Sequence, residues 1–331
     1  MVYDRRVSVG CMRYYILFAL ITLGTYAAAA LVTAFAVSLS SSFLRRRIAF
    51  RPAVERARNL AVARLLPIAA GAFATLLIGS LFVRYEPRDT TEAPGLMLVA
   101  FALSTIVFSA AAAGRLVTSL RAGSACSRLL RQCGRRWSRA DGQRIWIVES
   151  AYPVAAVTGL FRTRLLISSR IMTECTPREL EAVIRHETAH VRRRDNLVRA
   201  AMRFLPDPLL LLEAGRQLQS DWAAAAEEAA DDEAAGPRVE ARTELASALV
   251  RVARMAQGPP PHWMPALAFY EGTNLENRVK RLLRAGTSAR TAYVMQFVAA
   301  TLVVATGALL LGDGVSMKLH GAMELAVRYL P

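Results

Sequence analysis

The chain has 331 residues, 54% of them hydrophobic, and a formal net charge of +16. The length allows a sizeable core, but the apolar residues gather in runs rather than spreading evenly. The arginine excess does not read as nucleic-acid binding: its densest clusters flank those runs, and no aromatic-interleaved basic motif occurs. It reads instead as attraction to anionic lipid. The four cysteines (Cys11, Cys126, Cys133 and Cys175) form no C-x-x-C pair and are assigned no role.

In chain order, residues 14–38, 65–83, 95–114 and 292–312 carry no charged side chain. A hydrocarbon core about 30 Å thick needs about 20 apolar residues of helix to cross it. Lipid offers the backbone no hydrogen-bond partner, so these runs are expected as four transmembrane helices. The first is too long for a signal peptide and lacks a clear cleavage site. Charge sets the orientation. Arg45, Arg46, Arg47, Arg51, Arg56, Arg58 and Arg64 follow the first run, against only Glu55. A short, slightly acidic loop follows the second run. Arg115, Arg121, Arg128, Arg131, Arg135 and Arg136 follow the third, and Lys280, Arg281, Arg284 and Arg290 precede the fourth. Positive loops stay inside. Both termini are therefore expected outside a bacterial inner membrane, with residues 43–64 and 115–291 in the cytoplasm. Arg5, Arg6 and Arg13 oppose this assignment and are outweighed. Arg64 and Arg115, at span ends, are expected to snorkel.

Residues 115–291 form an insert of domain size, expected to be α+β. "RIWIVES" (144–150) reads as a strand, and "AAVTGLFRTRLLISS" as two strands broken near Gly159. Thr176, Pro177 and Glu179 then make a capping box with proline at the first helical position. The helix they start carries "RHETAH". A second helix follows Pro206 and Pro208, runs to about residue 235 and ends at Pro237. "QGPPPHW" is a loop, and "NLENRVKRLLRAG" is a further helix before the last apolar run.

His186 and His190 are i and i+4, so they share a helix face and can point at one metal ion. Two imidazoles suit zinc, whose catalytic sites take three protein ligands and leave a place for water. Glu187, one step round the helix, can reach that water as general base without binding the metal. The pentapeptide alone is weak, and a third donor is needed from another helix. "EEAADDEAA" at 227–235 offers one. Glu227 and Asp231 are again i and i+4. With Glu227 on the metal, Asp231 would accept the N–H of a ligand histidine. Glu228, Asp232 and Glu233 read as a solvated face. His262, in the proline loop, remains as an oxyanion or substrate contact, and His320 is expected to be idle.

"RHETAHVRRRDNL" followed by "EEAADD" resembles the BlaR/MecR-type antirepressor membrane metallopeptidases, which are gluzincins. The likeness extends upstream to "GLFRTRLLISSRIM" and downstream to "LENRVKRLL". Heat-shock relatives often carry a histidine before the R-[IV]-x-x-L helix, and none occurs between Phe269 and Arg278. The resemblance implies a gluzincin-like domain between spans three and four, one zinc ion, and Glu227 rather than Glu228 as third ligand. It also implies that residues 164–168 are the edge strand that pairs with a peptide substrate. That substrate would be a cytosolic repressor of the winged-helix kind or the protein itself. The tail 313–331 has no S-x-x-K motif, so direct β-lactam sensing by a penicillin-binding domain is not expected. A quality-control protease and a non-catalytic signalling scaffold are the alternatives.

Overall fold

Three long helices come first in the computed structural model, which describes residues 2–87, 93–138, 144–161, 163–256 and 275–284. The expected fourth span, the tail and the loop with His262 lie outside the described residues. α1 (Val2–Ile48), α2 (Ala53–Tyr85) and α3 (Leu96–Cys133) each hold a stretch long and apolar enough to cross a membrane. Their polar side chains turn inward on the helix, as a bilayer demands. Thr22 and Thr33 donate to carbonyls four residues back, at 2.8 and 2.7 Å. Thr105 reaches across to the Leu23 carbonyl at 2.8 Å and ties α3 to α1.

The helices outrun the apolar runs. At 1.5 Å per residue, α2 is about 50 Å long, well beyond a hydrocarbon core of about 30 Å. The expected loop over 43–64 is therefore helical except for residues 49–52. The extra turns have a purpose in packing. Ala34, Val37 and Ile48 of α1, with Ala57 and Leu60 of α2, share one core with Met202, Leu209, Leu218, Trp222, Ala225 and Ala226. The polar domain is thus built directly onto the ends of the first two helices.

That domain opens with a four-stranded sheet: β1 (Arg135–Ser138), β2 (Arg144–Val148), β3 (Ala155–Thr158) and β4 (Arg164–Ser168). The order is β1-β2-β4-β3, with β2 and β4 parallel and the outer pairs antiparallel. This corrects the expected substrate edge. Residues 164–168 are an interior strand, with Leu166 and Ile167 fully buried, and among the described residues β3 is the edge beside the helices. The reversal between them turns on Gly159, whose φ of 91° suits a residue without a Cβ.

The helices follow as α4 (Ser169–Glu174), α5 (Pro177–Arg193), α6 (Asp195–Phe204), α7 (Glu213–Ala235), α8 (Val239–Met255) and α9 (Leu275–Leu283). The capping box is present: the Thr176 N–H donates to Glu179 at 2.9 Å, and the Glu179 N–H donates to the Thr176 hydroxyl at 3.3 Å. α7 ends at Gly236, as the following Pro237 suggests. A 3-10 turn over Pro208–Leu211 joins α6 to α7. Gly215 is required there, because a Cβ would sit 2.0 Å from the Leu209 carbonyl oxygen.

The end of α6 and the linker to α7 are together held by all three long helices. The Tyr26 hydroxyl donates to the Pro206 carbonyl at 2.6 Å. Arg64 pairs with Asp207, and both side chains are fully buried. Arg115 donates to the Arg203 carbonyl at 2.7 Å. Neither arginine snorkels, because the domain supplies a partner at the place where lipid headgroups were expected to.

Candidate metal centre

α5 has one apolar and one polar face. Ala182 and Ile184 pack into the core, while Val183, His186, Glu187 and His190 line a cleft of about 510 Å3 with Glu227 of α7. The metal-competent groups converge from two helices. His186 Nε2 and His190 Nε2 are 3.2 Å apart. Glu227 Oε2 lies 3.4 Å from His186 Nε2, and Glu227 Oε1 lies 3.5 Å from His190 Nε2. A tetrahedral ion with donors at about 2.0–2.1 Å needs donor-to-donor edges of about 3.3 Å. The histidine pair and each histidine's nearer Glu227 oxygen match that spacing, and one donor from each residue lies within 4.8 Å of the others, so the three can hold one small divalent cation; among the described residues they form the one such cluster.

α7 brings its carboxylates to α5 because its alanines let it approach closely. Ala226, Ala229 and Ala230 are fully buried. The alanines of this tract are thus the packing surface that seats Glu227. One turn on, Asp231 is fully buried, and its Oδ1 lies 3.0 Å from His186 Nδ1. The carboxylate sits off the axis of the ring N–H, so this is an ion-pair contact rather than an aligned hydrogen bond. Both Asp231 oxygens accept from Arg278, each at 2.8 Å.

Two residues that sequence reasoning did not single out complete the surroundings. Asp195 Oδ2 is 2.7 Å from His190 Nδ1. It gets there because α5 stops at Arg194, whose φ of 55° and ψ of 36° are left-handed. A non-glycine residue adopts that conformation at a cost of about 1–2 kcal/mol. The kink turns α6 away and folds its first residue back onto the histidine. The only sequence sign of this was an acidic residue ending "HVRRRD". Arg278 of α9 grips Asp231 and also lies 3.2 Å from Glu227 Oε2. Its signal was the "LENRVKRLL" stretch.

Of the three acidic residues expected as a solvated face, Glu233 is exposed, while Glu228 and Asp232 are half-buried in ion pairs. Glu228 pairs with Arg56 of α2 at 2.6 Å and with Arg281 of α9 at 3.4 Å. Asp232 pairs with Arg281 at 2.8 Å, and Glu233 with Arg192 at 3.2 Å. Glu228 and Asp232 fasten α7 to α2 and α9.

Electrostatics agree with a cation-seeking site. Burial opposes charge on both histidines, yet Asp231 and Glu227 hold His186 above the ordinary imidazole value. Glu227 and Asp195 push His190 up to about 10. Burial likewise opposes charge on the carboxylates. The histidines and Arg278 nevertheless bring Glu227 well below the usual range, and Arg278 and His186 hold Asp231 at about 2. The cluster is a negative pocket that takes up protons when no metal neutralises it.

A model of the family described as BlaR1 peptidase M56 matches residues 83–282, more than half of the chain. The chain belongs to that family. The match runs from the end of α2 to α9 and takes in every residue of the centre. Membership in the BlaR1 peptidase M56 family makes the protein a metallopeptidase of the membrane-helix type, consistent with the three apolar helices. Among curated proteins no significant match is found.

Proposed function

We propose that the protein is an inner-membrane zinc endopeptidase whose site faces the cytoplasm. In this reading a fourth span over 292–312 follows the 115–291 domain, and the ends of α1 and α2 serve as part of that domain's core. His186, His190 and Glu227 hold the ion. The observation that carries the reading is the convergence of the two Nε2 atoms, 3.2 Å apart, on the Glu227 carboxylate, whose oxygens lie 3.4 and 3.5 Å from them, beside Glu187 in an open cleft.

The rest of the cleft supports peptide hydrolysis. β3 is an edge strand on its floor. The Val154 carbonyl accepts from the Ser168 N–H at 2.8 Å. Residues 154, 156 and 158 therefore face β4, and the backbone groups of 155 and 157 point away from it. The Val157 carbonyl is taken by the Asn196 amide at 2.9 Å, which fixes the strand. Ala155 remains for an extended substrate, which adds as a further strand through backbone bonds alone. When bound, the cation supplies Lewis acidity that brings the pKa of a water to about 7. Glu187 takes that water's proton as it attacks the peptide carbonyl, then passes the proton to the departing amine. Asp195 fixes the tautomer and ring plane of His190, and Asp231 sets a negative charge against Nδ1 of His186. Arg278 anchors Asp231 and holds Glu227 from behind.

By family resemblance the substrate is a cytosolic winged-helix repressor or the protein itself, and its cleavage transmits a signal. Mass spectrometry of new N-termini in cells carrying wild type or Glu187→Gln tests this. Loss of a few specific cuts in a repressor or in this chain is the expected result. Loss of broad cuts in membrane proteins would select a quality-control role. Identical termini in both strains would reject the enzyme.

A further inference from the structure

The two walls of the cleft differ in chemistry, and the catalytic reading does not use that difference. On one wall, Asn196, Arg199 and Arg203 recur at i, i+3 and i+7 on α6 and line the cleft. Arg216, Ser220, Ala223 and Glu227 likewise form one face of α7. The α7 face that ends in the metal-competent glutamate thus begins with an arginine. The lining from α8 is apolar: Leu245, Ala248 and Leu249 are buried, and Val252 is half-buried. The acidic residues lining the cleft, Glu187, Asp195 and Glu227, all belong to the metal centre.

We propose that this cleft selects peptide segments that carry acidic residues to one side of the scissile bond, with Arg199, Arg203 and Arg216 forming the acid-binding wall. The inference rests on the metallopeptidase reading of the same cleft. From Arg216 to Glu227 is about 16 Å along α7 at 1.5 Å per residue. That distance matches about five residues of extended peptide at 3.3 Å each, so the acidic residues sit up to five positions from the cut. Arg199 lies over the Trp222 ring, 5.7 Å from its centroid, which holds its guanidinium against the wall. Arg216 is paired with Glu213, and both side chains are more than half exposed, at 58% and 62%. An exposed pair of this kind is worth only about 0–1 kcal/mol, so a substrate carboxylate can displace Glu213. Like charges brought together in a cleft raise the local concentration of an oppositely charged ligand. Anionic lipid headgroups offer similar chemistry, but the basic wall shares its cleft with the metal centre and the β3 edge, which are built for a peptide.

The test uses the full-length Glu187→Gln protein, loaded with zinc in neutral-lipid nanodiscs. The probe is a short fluorescent peptide with a glutamate block at one end and a leucine block at the other, compared with its lysine-block analogue. Tighter binding of the glutamate peptide by about ten-fold or more is expected, since like-charge juxtaposition is strongly unfavourable. Arg216→Glu, on an exposed position, is expected to narrow the gap, and Arg199→Glu with Arg216→Glu to reverse it. Equal affinity for the two peptides, or a preference unchanged by Arg216→Glu, would overturn the proposal. So would loss of the preference in nanodiscs of anionic lipid, which would give the wall to headgroups. Wild-type protein is then assayed for cleavage of the same peptides. Selective binding without cleavage would count against the peptidase reading alone, and cleavage of both peptides equally against the acidic preference alone.

Discussion

Asp195 lies five residues beyond His190, across a helix break, and its replacement tests whether that kink serves the metal centre. Its Oδ2 sits 2.7 Å from His190 Nδ1, and the two side chains are only 9% and 11% exposed. Arg193 lies 3.0 Å from the same oxygen. Removing such a carboxylate partner of a ligand histidine typically costs 10–100-fold in metal affinity, or about 1.4–2.8 kcal/mol at 1.4 per decade. Asn keeps an oxygen that accepts the ring N–H, so Asp195→Asn should fall near the ten-fold end. Asp195→Ala removes the acceptor and frees the ring, so it should approach a hundred-fold. The assay is competition for zinc between purified protein and a chromophoric chelator at fixed pH. Wild-type affinity in Asp195→Ala would refute the role, as would a larger loss than in His186→Ala.

Other consequences follow from the same geometry. Zinc must displace a proton from His190, whose pKa in the metal-free protein is raised to about 10. Apparent zinc affinity should therefore rise with pH between 6 and 9, by about ten-fold per unit for each proton released, and a flat profile in the chelator assay would contradict this. Arg278→Lys keeps the charge but loses the paired 2.8 Å bonds to Asp231. It should lower zinc affinity and cleavage, whereas a silent variant would show that Asp231 needs no anchor. Asp207→Ala leaves Arg64 buried and unpaired, which should destabilise the protein by about 3–5 kcal/mol, while Arg64→Met with Asp207→Leu should recover most of it. Thermal unfolding in detergent measures both, and equal losses in the single and double variants would contradict the account.

The sequence carried the elements whose signals are local. Thr176, Pro177 and Glu179 announce α5, and the i, i+4 spacings of His186 with His190 and of Glu227 with Asp231 survive in space. Gly159 divides β3 from β4 as its place between two apolar runs suggests. What was not legible depends on partners far along the chain. Nothing near Arg64 reveals Asp207, and a basic residue at the end of an apolar run is ordinarily a snorkeling one. The strand order is likewise non-local: β3 and β4 read alike as short apolar runs, and only the parallel pairing of β2 with β4 puts β3 at the edge. Asp195 is not legible as a partner of His190 because the helix breaks at Arg194, a residue type that seldom takes positive φ. The alanines of α7 carry no pattern of their own; their role appears only when α2 and α5 close on either side.

The central claim, that His186, His190 and Glu227 together hold a metal ion beside Glu187, is tested most directly by elemental analysis of the purified full-length protein. One zinc per chain is predicted for wild type and for Glu187→Gln, with loss of the metal in His186→Ala and Glu227→Ala. Wild-type protein without stoichiometric metal, or undiminished zinc in His186→Ala, would contradict it.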